Sequence, residues 1–176
     1  FKFQKEFLRP FDYIILNNPN IEVKNMVLDC IKYLISKKAS VIKSGWTTIL
    51  ETLGHVGFNE DDEKFVLSGL SYVKQIMDKH FQAIQDENCF QELIDCLCEY
   101  CKNERFQKIS LKSLAMINEL VERFGVEIDK RIGDDNYLNE YWYPLLASFN
   151  NIIMEGTDLE VRSKALYFMF ESLILH

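Results

Sequence analysis

Ile21-Glu22-Val23-Lys24 and Leu159-Glu160-Val161-Arg162 open two amphipathic segments that match in register, 138 positions apart. Phe65 and Ile109 head the same kind of stripe between them. Val23, Phe65, Ile109 and Val161 therefore follow one another at steps of 42, 44 and 52. Below them the apolar positions run Val23/Val27/Ile31/Leu34, Phe65/Gly69/Val73/Ile76, Ile109/Ser113/Ile117/Leu120 and Val161/Ala165/Phe168 or Met169/Ser172. The second place in each set is a small residue, which lets a neighbouring helix come close. Ahead of each stripe lies another, led by an aromatic or proline-bearing anchor: Phe7/Pro10/Phe11/Ile14, Trp46/Ile49/Leu50/Leu53, Phe90/Leu93/Ile94/Leu97 and Trp142/Leu145/Leu146/Phe149. Apolar residues at i, i+3, i+4 and i+7 make one face of a 3.6-period helix. Two helices per unit at a period of about 40–47 residues is the pattern of HEAT and armadillo repeats. The expected fold is all-α, a right-handed solenoid of about four helical hairpins. In it Phe7, Phe11, Trp46, Phe90 and Trp142 anchor the seams between units.

Start signals support the division. Pro19-Asn20 precedes the second helix, Asn59 with the acids Glu60 to Glu63 precedes the fourth, and Thr157 with Glu160 reads as a capping box for the last. Pro10 and Pro144 are expected near the beginning of first helices, where a missing N–H costs least. Gly133-Asp134-Asp135-Asn136 reads as an insertion that explains the longest step. Phe1-Lys2-Phe3 starts almost inside a helix and Leu173 to His176 ends on apolar residues without a cap. Residues 1–176 are thus expected to be a single HEAT-like domain, a fragment of a much larger protein.

Composition narrows the function. The chain is 48% hydrophobic and 27% charged, as folded soluble proteins are, and its net charge of −7 argues against a nucleic-acid groove. The longest uncharged run, Tyr141 to Met154, is too short to span a bilayer. Cys30, Cys89, Cys96, Cys98 and Cys101 sit in helix-periodic sequence, as reduced thiols of a cytosolic protein do. Cys96 and Cys98 point to opposite sides of one helix, so they do not close a tetrahedral metal site. No phosphate loop, nucleophile elbow or metal-binding histidine pair occurs. The expectation is a non-enzyme without cofactor or metal.

Longer strings carry a resemblance. Phe3-Gln4-Lys5-Glu6-Phe7-Leu8-Arg9-Pro10-Phe11, Ile42-Lys43-Ser44-Gly45-Trp46 and Arg105-Phe106-Gln107-Lys108-Ile109-Ser110-Leu111 resemble the large Arf guanine-nucleotide exchange factors of the trans-Golgi, the Sec-seven/BIG family. So do Trp142-Tyr143-Pro144 and Val161-Arg162 with Met169-Phe170-Glu171. The resemblance covers nearly the whole chain. It falls on the homology region just downstream of the catalytic exchange domain and looks closest to the fungal member. It departs at Asn136 to Tyr141, where animal members look more basic.

The resemblance implies a regulatory module in vesicle-mediated transport, in the cytosol and on the cytosolic face of the trans-Golgi network. Such a module restrains the exchange domain and releases it when GTP-loaded Arf engages, giving positive feedback. Its partners would be Arf in the GTP form, neighbouring domains of the same exchange factor and the anionic Golgi membrane. Arg9, Lys37, Lys38 and Lys43 are the candidate contacts, against the reading that they form a solvated face. Gly45 is a place where a partner backbone can approach closely, against the reading that Ser44 caps a helix and the glycine only adapts the turn. The competing function is a structural spacer making only intramolecular or scaffold contacts.

Overall fold

The computed structural model describes residues 3–59, 61–128, 130–131 and 133–176. Lys2 and Glu60 lie outside the described residues. The chain is all-α, with no strand among the described residues. Its helices are α1 (Phe3–Asn17), α2 (Ile21–Lys37), α3 (Gly45–Val56), α4 (Glu63–Lys79), α5 (Phe81–Asp86), α6 (Phe90–Cys101), α7 (Gln107–Ile128), α8 (Asp135–Tyr137), α9 (Tyr143–Glu155) and α10 (Leu159–Leu175). The pairs α1/α2, α3/α4, α6/α7 and α9/α10 pack as hairpins. One layer runs α1, α3, α6, α9 and the other α2, α4, α7, α10, each helix touching the next in its layer.

The N-termini of α2, α4 and α10 are each closed by an Asn or Asp side chain. Asn20 accepts from the Glu22 and Val23 amides, Asp62 from Phe65 at 2.9 Å, and Asp158 from Val161 at 2.9 Å. Asn103 accepts from Arg105 and Phe106 just ahead of α7. Its amide also donates to the Gly57 and Asn59 carbonyls, at 2.7 and 2.9 Å, and so joins two inter-helix loops. Two starts differ from expectation: Asp62 and Asp158 are the caps, in place of Asn59 and Thr157. Asn59 instead folds the preceding turn by accepting from the Asp61 and Asp62 amides. An acid one or more residues closer to the first turn is the better acceptor, because it adds charge at the positive end of the helix dipole.

Trp46, Phe90 and Trp142 are buried, as are the first-layer stripes behind them apart from the half-buried Leu146. The first unit is the exception. Phe7 is 67% exposed, Pro10 is exposed, and Phe11 is half-buried. The side of α1 that meets α3 runs instead through Leu8 and Ile15. That side is partly polar: Thr48 Oγ1 donates to the Lys5 carbonyl, and Asp12 pairs with His55 Nδ1 at 2.5 Å. Pro10 is interior to α1 and not near its start. Its exposed position leaves the freed carbonyl one turn back open to water, which softens the helix-interior penalty of about 3 kcal/mol.

The 133–136 insertion is followed by α8 and a π-helical turn, Leu138–Trp142, that runs straight into α9 with Pro144 in its first turn. Tyr141 stacks on Phe124 at 4.8 Å and meets Phe90 edge-on at 5.0 Å. These ring contacts fix the widened turn, and Phe81 of α5 closes the cluster against Phe90 and Phe124.

Close approach of α4 to α6 depends on Gly69. A β-carbon there would collide with the Tyr100 hydroxyl and come within 2.7 Å of Val56 Cγ1. The hydroxyl is fully buried and has no hydrogen-bond partner among the described residues. Gly69→Ala gains about 1 kcal/mol of helix propensity but incurs an overpacking cost of about 1–3 kcal/mol. The expected net is a destabilisation of up to about 2 kcal/mol in urea denaturation. Tyr100→Phe removes the orphan oxygen and should stabilise by about 1 kcal/mol. In that background the Gly69→Ala cost should shrink by at least half; an unchanged cost would show that the hydroxyl is not what fills the space.

Candidate interaction surface

An apolar concavity lies on the outer side of the first hairpin. It has a volume of about 570 Å³ and runs between α1, α2 and the 3₁₀ turn Ala39–Val41. Phe3, Phe7 and Phe11 form one wall, Tyr33 and Leu34 the other, and Val41 the end. Phe3, Phe7, Tyr33 and Val41 are all more than half exposed. A cluster of large exposed side chains of this kind marks a contact surface. Lys38 and Asp29 supply its charged rim, and the Cys30 thiol lies within it, exposed.

The end of the groove is held by one side chain. Gln4 Nε2 donates to the Val41 carbonyl at 2.8 Å, while its Oε1 accepts from the Lys43 amide at 2.8 Å and the Gly45 amide at 3.3 Å. One amide thus pins the turn leading into α3 onto the start of α1. Nothing local in the sequence signals this, because donor and acceptors lie about 40 residues apart.

The basic residues do not converge on a single patch. Lys37 and Lys38 sit together, exposed, at the end of α2, and Lys38 reaches the groove. Lys43 pairs with Glu87 at 3.4 Å, and Arg9 pairs with Glu6 at 3.3 Å beside a separate shallow depression that includes Tyr13 and Leu16. Such exposed pairs contribute little to stability, but they lower the local positive potential. Gly45 is buried. A β-carbon there would lie 3.1 Å from Leu8 Cδ1 and 3.3 Å from Ile42 Cγ2, so the close approach it permits is that of α1 and not of a partner's backbone.

The thiols of α6 are buried at helix contacts, and that burial pushes them up: Cys101 to about 12, Cys96 and Cys98 well above the ordinary thiol range. A thiol held protonated is a poor nucleophile and a poor metal ligand. Among the described residues no three His, Cys, Asp or Glu side chains gather as a metal site, and no helix is long and apolar enough to cross a membrane.

Residues 1–75 match the family described as Sec7-like HDS (Mon2/Sec7/BIG1-like, HDS). Over its whole length the chain is 33% identical to the ADP-ribosylation factor guanine nucleotide-exchange factor SEC7 of Saccharomyces cerevisiae. Over 97% of its length it is 36% identical to the exchange factor sec72 of Schizosaccharomyces pombe, and over 97% it is 29% identical to human brefeldin A-inhibited guanine nucleotide-exchange protein 1. In each case it spans about a tenth of the relative's own length: 10% of the relative is matched. The alignments run past the family match to the end of the fourth hairpin, so the likeness extends through all four units. The chain belongs to the Sec7/BIG-like family, as part of its HDS region.

Proposed function

We propose that residues 1–176 form a right-handed HEAT-like solenoid domain that serves as a non-catalytic regulatory module of an Arf exchange factor. It binds Arf in the GTP form at an anionic membrane and thereby relieves restraint on an exchange domain elsewhere in the polypeptide. Its place of action is the cytosol and the cytosolic face of the trans-Golgi network, in vesicle-mediated transport. The observation that carries this reading is the end-to-end similarity to proteins named as ADP-ribosylation factor guanine nucleotide-exchange factors. The two-layer stack of hairpins supports it, since such stacks offer long surfaces to other proteins.

Lys37 and Lys38 are the membrane-facing pair in this reading, each contributing about 1 kcal/mol beside anionic lipid. Arg9 and Lys43 add a weaker share because Glu6 and Glu87 accompany them. Gly45 acts indirectly, by seating α1. Only a difference in affinity for the two nucleotide states of Arf can shift a restrained equilibrium.

The test is flotation of the chain with anionic liposomes carrying GTP-locked or GDP-bound Arf. Retention should require the GTP form, and Lys37→Ala with Lys38→Ala should lower lipid partitioning roughly thirtyfold, the equivalent of about 2 kcal/mol. Equal retention with both nucleotide states would refute the regulatory reading.

A further inference from the structure

The groove of the first hairpin carries an unmatched charge of each sign at its rim. Phe3, Phe7 and Phe11 follow one another at four-residue steps along α1, and Cys30, Tyr33 and Leu34 line the same trough from α2. Asp29 and Lys38 stand at the edge, nine residues or about 13 Å apart along α2, with Lys38 as its C-cap. Both are exposed, and neither has an ion-pair partner among the described residues. The depression beside Arg9 differs, because Glu6 already matches that charge at 3.3 Å.

We propose that this groove docks an amphipathic helix of a partner protein, one flank of whose apolar stripe carries a basic residue for Asp29 and the other an acidic residue for Lys38. Aliphatic side chains at i, i+3 or i+4 and i+7 of that helix fill the trough, whose volume of about 570 Å³ admits several of them. A trough between two helices is the shape into which a packed helix seats its ridge. It is also preformed: Gln4 pins the turn at one end onto α1, so docking does not have to order it. An anionic bilayer satisfies the rim less well, since it attracts Lys38 but repels Asp29. Helix docking requires neither Arf nor lipid, so it stands or falls separately from the regulatory role.

The probes are three fluorescein-labelled, helix-stabilised peptides with one leucine stripe, flanked by Arg and Glu, by Arg and Arg, or by Glu and Glu. Their binding to this chain is read by fluorescence anisotropy without lipid, at physiological ionic strength so that long-range charge is screened. The Arg/Glu peptide should bind at least about fivefold more tightly than either like-charged one. Asp29→Lys should make the Glu/Glu peptide the tightest, and Lys38→Glu the Arg/Arg peptide. Phe7→Asp should weaken all three at least about tenfold. All three positions are exposed, so these changes leave the core of the chain intact. Equal affinities for the three peptides, or a preference unmoved by Asp29→Lys and Lys38→Glu, overturn the proposal. Cys30 reports the location, because it lies in the groove and is exposed while Cys89, Cys96, Cys98 and Cys101 are buried. Saturating Arg/Glu peptide should slow maleimide alkylation of Cys30, followed by mass spectrometry, and an unchanged rate places the peptide elsewhere and overturns the proposal. Equal protection by phosphatidylcholine–phosphatidylserine vesicles assigns the groove to a membrane, and protection that rises with the chain's own concentration assigns it to a second copy; either result overturns it.

Discussion

Unfolding free energy should fall by roughly 3–4 kcal/mol between pH 8 and pH 9.5, well before the lysines of the fold titrate. The source is α6. Cys96, Cys98 and Cys101 are held protonated by burial far above their ordinary range. In the unfolded chain they titrate near 8.5. A group whose folded pKa is raised contributes stability that is complete below the unfolded value and is lost as pH climbs toward the folded one. Above about pH 8.5 the unfolded chain releases protons that the native chain retains, so the slope is negative. Each thiol contributes up to about 1.4 kcal/mol per pH unit. Lys74 and Lys102 follow the same sign in a later window. Burial pulls both ammonium groups down, but Glu119 and Asp78 beside Lys74, and Glu99 and Glu155 beside Lys102, hold them above their usual value. Their contribution is therefore lost only above about pH 10.5. Urea titrations at pH 7, 8, 9 and 9.5 read the thiol window directly. Cys96→Ala or Cys101→Ala should flatten the fall by about a third each, and a stability that stays level to pH 9.5 would contradict thiol burial in α6.

The interior units were legible because each apolar stripe there has a neighbour on both sides and reads the same from periodicity and from packing. Trp46 and Phe90, with their followers at i+3, i+4 and i+7, are buried for that reason. The first helix has two stripes. Its fully apolar one puts Phe3, Phe7 and Phe11 along the groove, while the one against α3 mixes Leu8 and Ile15 with Gln4, Lys5 and Asp12. Periodicity selects the more apolar stripe and cannot register that polar side chains satisfy one another across a seam. Helices α5 and α8 are too short for any period to show. The candidate surface was legible only in part. The string around Phe7 includes part of the α1 wall, but the groove depends on α2 residues 22 to 31 positions away from that wall, and the Gln4 clamp on a separation of about 40.

Trp46→Ala and Phe7→Ala should differ by at least about 2.5 kcal/mol in this chain, although the two residues hold the same place in successive units. Trp46 is fully enclosed between the first two hairpins, so its removal forfeits transfer energy and opens a cavity, at a cost of about 3–5 kcal/mol. Its indole N–H has no hydrogen-bond partner among the described residues. Trp46→Phe therefore gives back the desolvation cost of that group and should lose clearly less than Trp46→Ala. Phe7 stands in solvent, and an exposed substitution of this kind stays within about 0.5 kcal/mol. Urea denaturation of the three variants under one condition makes the comparison, with equal m-values required so that midpoints report stability. A Phe7→Ala that is costly in this chain would mean that α1 is turned toward its neighbour by the apolar stripe after all, and the register drawn through Leu8 and Ile15 would have to be abandoned.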